Sequence, residues 1–196
     1  MLARTSLLPA LASALIMWTS CMAALAEPVS YILDPKHTYA SFEINHLGLS
    51  TARGTFDRTS GDIVLDAAAG TGYIEIVIDT ASIDTGLAKR DEHLRAEEFF
   101  NVEQHPTMKF VATSLQFDGD RPVSADGELT MLGKALPVSL RITHFACGQH
   151  PSHDRPVCGA DAETIIRRSQ WGMTTYVPTI GDEVTIRIGV EAFRLP

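Results

Sequence analysis

Val184-Thr185-Ile186-Arg187-Ile188-Gly189-Val190-Glu191 sets apolar and other side chains in strict alternation, and this period decides the fold. Successive residues of a strand point to opposite faces, so such a segment has one apolar and one polar side. The same period recurs upstream. Phe42, Ile44 and His46 alternate with Ser41, Glu43 and Asn45, and Ile74, Ile76 and Ile78 with Glu75, Val77 and Asp79. Met108, Phe110 and Ala112 alternate with Lys109, Val111 and Thr113. Leu129 and Met131 stand between Glu128 and Thr130, and Val138, Leu140 and Ile142 alternate with Ser139, Arg141 and Thr143. Weaker strands near Gly54–Leu65 and Ala160–Arg168 bring the number to about eight. Turn formers separate the strands: Ser60-Gly61-Asp62, Ala69-Gly70-Thr71-Gly72, Asp118-Gly119-Asp120, Leu132-Gly133-Lys134 and Ile180-Gly181-Asp182. Connections this short require antiparallel pairing. One helix is expected, over Lys89–Asn101, closing over the sheet. Eight one-sided strands can close on themselves as an all-β antiparallel barrel or stack as a sandwich, and closure has the merit of abolishing exposed edges.

The ends of the chain bound the compartment. Arg4, an apolar run from Leu7 to about Trp18, and Ala24-Leu25-Ala26 make a secretory leader over residues 1–26, with cleavage before Glu27 and a single domain over 27–196. The run is shorter than the roughly 20 apolar residues a membrane helix needs. A lipoprotein reading would use Cys21, but Trp18-Thr19-Ser20-Cys21 is a poor lipobox. The expected location is the periplasm. The net charge of −8, more acidic once Arg4 is lost, argues against nucleic acid and against charge-driven binding to anionic headgroups. Cys147 and Cys158 then remain, and in an oxidising compartment the pair is expected to form a disulfide stapling a turn-rich loop. A metal site combining both thiolates with His150 and His153 is the rival; its spacing matches no zinc pattern. An outer-membrane barrel would want aromatic girdles at both interfaces, and the chain shows no such banding.

Five stretches carry a resemblance. They are Asp34-Pro35-Lys36-His37-Thr38 leading to Phe42-Glu43-Ile44-Asn45-His46-Leu47-Gly48, and Arg53-Gly54-Thr55-Phe56. Ser82-Ile83-Asp84-Thr85-Gly86 follows, with Arg90-Asp91-Glu92-His93-Leu94-Arg95 and Phe99-Phe100-Asn101-Val102. His105-Pro106-Thr107-Met108-Lys109-Phe110 with Gly127–Lys134, and Arg168-Ser169-Gln170-Trp171-Gly172-Met173, complete the set. In this combination and order the chain resembles the YceI-like family of polyisoprenoid-binding proteins from about Tyr31 to Arg194. The resemblance implies an eight-stranded, lipocalin-like antiparallel barrel with a short helix over one end, usually periplasmic. Its pocket is expected to hold a polyprenyl chain such as that of a quinone or its precursor, with no established catalysis. Trp171 stands where the family more often has another aromatic residue.

The expected wall combines Phe42, Ile44, Ile74, Ile76, Ile78, Phe110, Leu129, Met131, Leu140, Ile142, Ile186 and Ile188. Phe56 and Trp171 join it from the motifs, and Leu94, Phe99 and Phe100 from the helical region, read as a gate. Whether these side chains enclose a cavity or meet and fill the centre is open from the residues; the resemblance favours the cavity. His46 has two readings, a contact to a lipid headgroup and a core histidine bonded to a neighbour. His144 shares the parity of Ile142 near a strand end. The charged run Arg90–Arg95 reads as solvated helix pairs, against a catalytic cluster. Arg168-Ser169 reads as a structural corner, against a headgroup site. No nucleophile elbow, phosphate loop or dinucleotide fingerprint is present. No catalytic residue, metal or cofactor is therefore assigned. The expected partner is the isoprenoid or quinone-like lipid, with transient membrane contact, in a monomer or homodimer. An enzyme acting on such a lipid, or an interaction module with a filled core, are the alternatives.

Overall fold

The computed structural model describes residues 27–196; the leader and Cys21 lie outside the described residues. Eleven strand segments form: β1 (Val29–Leu33), β2 (Tyr39–His46), β3 (Ser50–Phe56), β4 (Thr59–Asp66), β5 (Thr71–Asp79), β6 (Ile83–Asp84), β7 (Thr107–Asp118), β8 (Arg121–Met131), β9 (Lys134–Gln149), β10 (Pro156–Arg167) and β11 (Ile180–Arg194). The helix α1 spans Ala88–Arg95. The ring β1-β4-β5-β7-β8-β9-β10-β11 closes where β1 pairs back onto β11, an eight-stranded antiparallel barrel. The extra segments continue existing strands. Both β1 and β2 lie along one edge of β11, through Leu33↔Ala192 and Tyr39↔Gly189. Likewise β4 pairs with β1 while β3 pairs with β2, and β5 pairs with β4 while β6 pairs with β3. The single strand expected over Gly54–Leu65 is therefore broken, at Asp57-Arg58.

The three breaks coincide with buried hydroxyls. Thr38 sits at the first, Thr59 at the second, and Thr80 and Ser82 at the third, and all four are buried. A break removes ladder hydrogen bonds, and buried backbone groups need substitutes. Thr80 Oγ1 donates to the His105 carbonyl at 2.7 Å. Ser82 Oγ donates to the Asp79 carbonyl at 2.7 Å and accepts from Arg58 N at 3.1 Å. The hydroxyls of Thr38 and Thr59 have no protein partner.

Other departures from the expected pattern have local causes. Gly61 lies inside β4 and not in a turn; a Cβ there would stand 2.0 Å from the Glu75 carbonyl oxygen, so glycine permits the close passage of β4 over β5. Ile180-Gly181-Asp182 opens β11, where the register against β2 shifts. A bulge at Thr143 aligns Ile142 with Ala162 but His144 with Asp161. His144 is thereby turned outward and exposed, against the expected shared parity. Cys147 and Cys158 are bonded and directly opposed, with Cα atoms 4.0 Å apart. The bridge joins β9 to β10, and the loop proper is only the reversal closed by His150 N donating to Arg155 O at 2.9 Å. Both sulfurs are thus withdrawn from any metal set. The His150 and His153 rings stack 4.5 Å apart beside Phe193. Among the described residues no group of three or more His, Cys, Asp or Glu is placed to hold a metal.

The apolar faces turn inward. The outer face carries an ion-pair belt across five strands: Arg53–Glu43 at 2.9 Å, Glu43–Arg187 at 3.0 Å, Arg187–Glu163 at 3.6 Å, and Glu163–Arg141. A membrane barrel would place that belt in lipid, so the outer-membrane alternative falls. Inside, one half of the barrel is solid. Leu33, Ile74, Ala112, Leu115, Ala125 and Ala192 fill the end holding the β4–β5, β7–β8 and β9–β10 turns.

Three substitutions have distinct expected outcomes in thermal melts. Ser82→Ala, which strips Arg58 N of its acceptor, lowers stability by about 1–3 kcal/mol, whereas Thr59→Val, which removes an unpaired buried hydroxyl, is neutral or stabilising. Replacing both cysteines by serine costs about 2–3 kcal/mol, a fall in Tm of roughly 2–4 °C per kcal/mol, and dithiothreitol gives the wild type the same shift.

A candidate lipid cavity at the barrel mouth

The other half of the barrel is hollow. A cavity of about 310 Å³ opens at the end formed by the β2–β3 turn, the 85–106 segment, and the connection from β10 to β11. Its wall comes from inward positions of β2, β3, β5, β7, β8, β9, β10 and β11. Phe42, Ile44, Phe56, Ile76, Ile78 and Phe110 line it, as do Leu129, Met131, Leu140, Ile186 and Ile188. Leu94 covers it from α1, and Phe99 and Phe100 from the segment that follows. Three expected members stand elsewhere. Ile74, opposite Ala112, and Ile142, opposite Ala162 beside the bulge, lie toward the solid half. Trp171 is buried in the corner after β10, its Nε1 donating to the Leu129 carbonyl at 3.0 Å, so it packs behind the wall.

The space exists partly because small residues face it. Ala40 and Ala52 occupy inward positions of β2 and β3. Gly54 lets the Phe42 ring lie flat across β3; a Cβ at Gly54 would be 2.6 Å from Phe42 Cζ. Phe42, Phe56 and Phe100 then form a continuous aromatic file, with centroids 5.9 and 5.5 Å apart. Met108, Val138 and Val184 share the inward parity visible in the sequence, and Ile166 lies on a strand whose alternation is weak; all four line the cavity. Ala40 and Ala52 could have been found only by asking where the wall is thin.

His46 ends β2 at the mouth. It contributes to the cavity wall yet is exposed, which leaves its ring open to a ligand's polar end and contradicts a core histidine. The charged run divides: His93 makes an exposed pair with Glu98 at 3.0 Å, whereas three of its other members bond to the chain before the helix. Asp91 is buried and accepts from Thr85 N at 2.9 Å and from Thr85 Oγ1. Arg90 donates to Thr85 Oγ1 and to the Thr85 carbonyl, at 2.7 and 2.6 Å. Arg95 donates to the carbonyls of Ala81 and Ile83 at 2.8 and 2.9 Å. The helix ends at Arg95, six residues before the expected Asn101, and these bonds fasten it to β6. These bonds make a clasp of the region expected as a gate.

Arg168 holds the opposite side of the mouth. Its buried guanidinium donates to the carbonyls of Gly181, Met173, Thr175 and Ile180 at 2.8–3.1 Å. Burial pushes its pKa down, and nearby Asp182 pulls it up. Burial pushes the Asp182 carboxyl up, but hydrogen bonds from Ser169 N and Oγ, with the charges of Arg168 and Arg167, hold it below the ordinary value. With four of five donors on carbonyls, Arg168 makes a corner and is a poor headgroup site. Thr175 Oγ1 donates to the Glu98 carbonyl at 3.1 Å, tying this corner to the clasp.

Comparison with known proteins gives this architecture its relatives. The YceI-like domain matches residues 31–192. A UPF0312 protein of Pectobacterium atrosepticum is 32% identical, over 93% of this chain and 94% of its own. Protein YceI of Salmonella arizonae is 33% identical, over 91% and 93%. Among solved structures, the YceI protein of Campylobacter jejuni superposes with a TM-score of 0.66 at 25% identity, covering 78% of this chain and 90% of that one. A domain from Saccharophagus degradans, described as polyisoprenoid binding, gives 0.63 at 18% identity over 85% and 99%, a likeness of fold. With a domain match across nearly all the described residues and full-length relatives above 30% identity, the chain belongs to the YceI-like family.

Proposed function

We propose that this protein is a periplasmic carrier that holds an isoprenoid lipid, a polyprenyl chain such as that of a quinone or quinone precursor, inside the mouth half of its barrel. The observation that carries the reading is the cavity of about 310 Å³ walled by aliphatic and aromatic side chains. Its size falls at the low end of the roughly 300–1,000 Å³ usual for small-molecule sites, and its open mouth lets a longer chain extend outward. The relative described as polyisoprenoid binding supports the same cargo. Burial contributes about 0.8 kcal/mol per methylene. One five-carbon unit is then worth roughly 4 kcal/mol, and a few units exceed an association cost on the order of 4–15 kcal/mol. Shielding is the mechanism. Of the Arg90–Arg95 groups that suggested chemistry, Asp91, Arg90 and Arg95 are engaged by Thr85, Ala81 and Ile83, and His93 is paired with Glu98, which favours carriage over catalysis. His46 at the mouth suits a polar headgroup.

The protein is to be expressed with its leader, purified without detergent and extracted with organic solvent for mass spectrometry. A stoichiometric polyprenyl species is expected. Ala52→Trp places an indole in the cavity and is expected to lower lipid per protein at least tenfold while leaving the melt unchanged or raised. Wild-type lipid content in the folded variant would place the cargo elsewhere. His46→Ala is expected to weaken retention modestly.

A further inference from the structure

The two ends of the barrel differ in what their turns show to solvent. The solid end reverses through Ala67-Ala68-Ala69-Gly70 between β4 and β5, Asp118-Gly119-Asp120 between β7 and β8, and Ser152-His153-Asp154 between β9 and β10, none with a large apolar side chain. At the mouth, the turn between β2 and β3 is Leu47-Gly48-Leu49, with Leu49 83% and Leu47 47% exposed. Leu87, which leads into α1, and Tyr176, in the connection to β11, are also exposed large apolar side chains on mouth segments. Tyr176 itself lines the cavity.

The leucine turn is set in an unfavourable way. Leu47 and Gly48 have φ of 59° and 69°, and the turn closes with Leu49 N donating to His46 O at 3.0 Å. Two positive φ values call for Asn, Asp or Gly, whose short or absent side chains tolerate the left-handed region. Leucine there is strained, and about half of the Leu47 side chain still faces solvent. The turn is nevertheless well held, by Asn45 Oδ1 accepting from Gly48 N at 2.8 Å and Thr179 O accepting from Leu47 N at 3.1 Å. The tip beside the opening is thus apolar, strained and fixed in place.

We infer that the mouth rim, with Leu47 and Leu49 at its tip and Leu87 and Tyr176 flanking, docks on a lipid bilayer so that cargo passes between membrane and cavity without crossing water. The inference rests on the lipid-carrier reading. The rim is continuous with the cavity wall through Tyr176, so a chain leaving the bilayer there meets apolar surface throughout. Tyrosine, with an apolar body and polar tip, suits the headgroup level. The occupant is a neutral surface. A chain of net charge −8 is repelled by anionic lipid, and the docking force is apolar contact.

The test pairs Leu47→Asn with Leu49→Ser in the full, exported chain. Asparagine suits φ of 59°, so the double variant is expected to melt at or above the wild-type temperature. The wild type is expected to float with phosphatidylcholine vesicles, less with phosphatidylglycerol vesicles at low salt, and the variant not to float. Uptake of a radiolabelled polyprenyl alcohol from phosphatidylcholine vesicles should accelerate with vesicle concentration in the wild type. It should slow at least tenfold in the variant, with the final loading equal. Equal uptake rates in the two chains, or wild type that does not float, would overturn docking. A wild-type dimer that the variant abolishes, without vesicle binding, would likewise overturn it and assign the rim to a second copy. Flotation lost in the variant, with no uptake by either chain, would sink the lipid-carrier reading and leave the docking surface standing.

Discussion

Backbone groups freed where a strand breaks must be satisfied inside the protein, and three such breaks set the shape of this barrel. If β1, β4 and β5 ran straight, the ring would keep one width and inward side chains would fill it, as they do at the solid end. Instead each chain bends near its middle and resumes as β2, β3 or β6. At the third break the substitution is complete: Thr80 and Ser82 replace ladder bonds with hydroxyl bonds to His105, Asp79 and Arg58. At the first two, the hydroxyls of Thr38 and Thr59 are buried without protein partners. Beyond the breaks the strand path is no longer closed by ladder bonds between β6 and β7, and the 85–106 segment covers the gap. The cavity and its mouth follow from that interruption.

An open ring must still be held. On one side Asp91, Arg90 and Arg95 bind the helical segment to the chain between Ala81 and Thr85; on the other Arg168 gathers four carbonyls of the 173–181 connection. The contact from Thr175 to Glu98 joins the two. Ionised groups in such positions are costly to bury unless hydrogen-bonded throughout. Here each bonds mainly to backbone or hydroxyl, which fixes loop geometry more sharply than apolar packing would.

Much of this was legible in the sequence, and the boundary of legibility is physical. Period-two alternation reports which face of a strand is apolar, so the ring, its antiparallel sense and most inward residues could be read directly. Alternation does not report depth along the barrel. Ile74 and Ile76 have the same parity two residues apart, yet one packs in the solid half and the other lines the cavity. Nor does it survive a bulge: the extra residue at Thr143 sends His144 outward, and nothing in Ile142-Thr143-His144 announces it. The charged helix misled for a different reason. Residue types three or four apart predict solvated pairs only when nothing else is near, and the nearness of β6 to Asp91 and Arg95 is a tertiary fact. Gly61 and Gly54 show the same limit, since one glycine reads as a turn while both serve close approach.

The division into a solid and a hollow half resolves the choice the residues left open between a filled core and a cavity. A barrel hollow throughout would lose much of the apolar contact that opposes its conformational entropy. A barrel solid throughout would have no place for a ligand. Here the filled end, with the ring closed by β1 on β11 and β9 bridged to β10 through Cys147 and Cys158, can supply stability that does not depend on occupancy. The mouth half is then free to keep alanines at Ala40 and Ala52, where larger side chains would leave less room, and a glycine at Gly54, where a Cβ would collide with the Phe42 ring. Small residues at those positions, next to a filled core below them, are what a site for an apolar guest requires of an otherwise ordinary barrel.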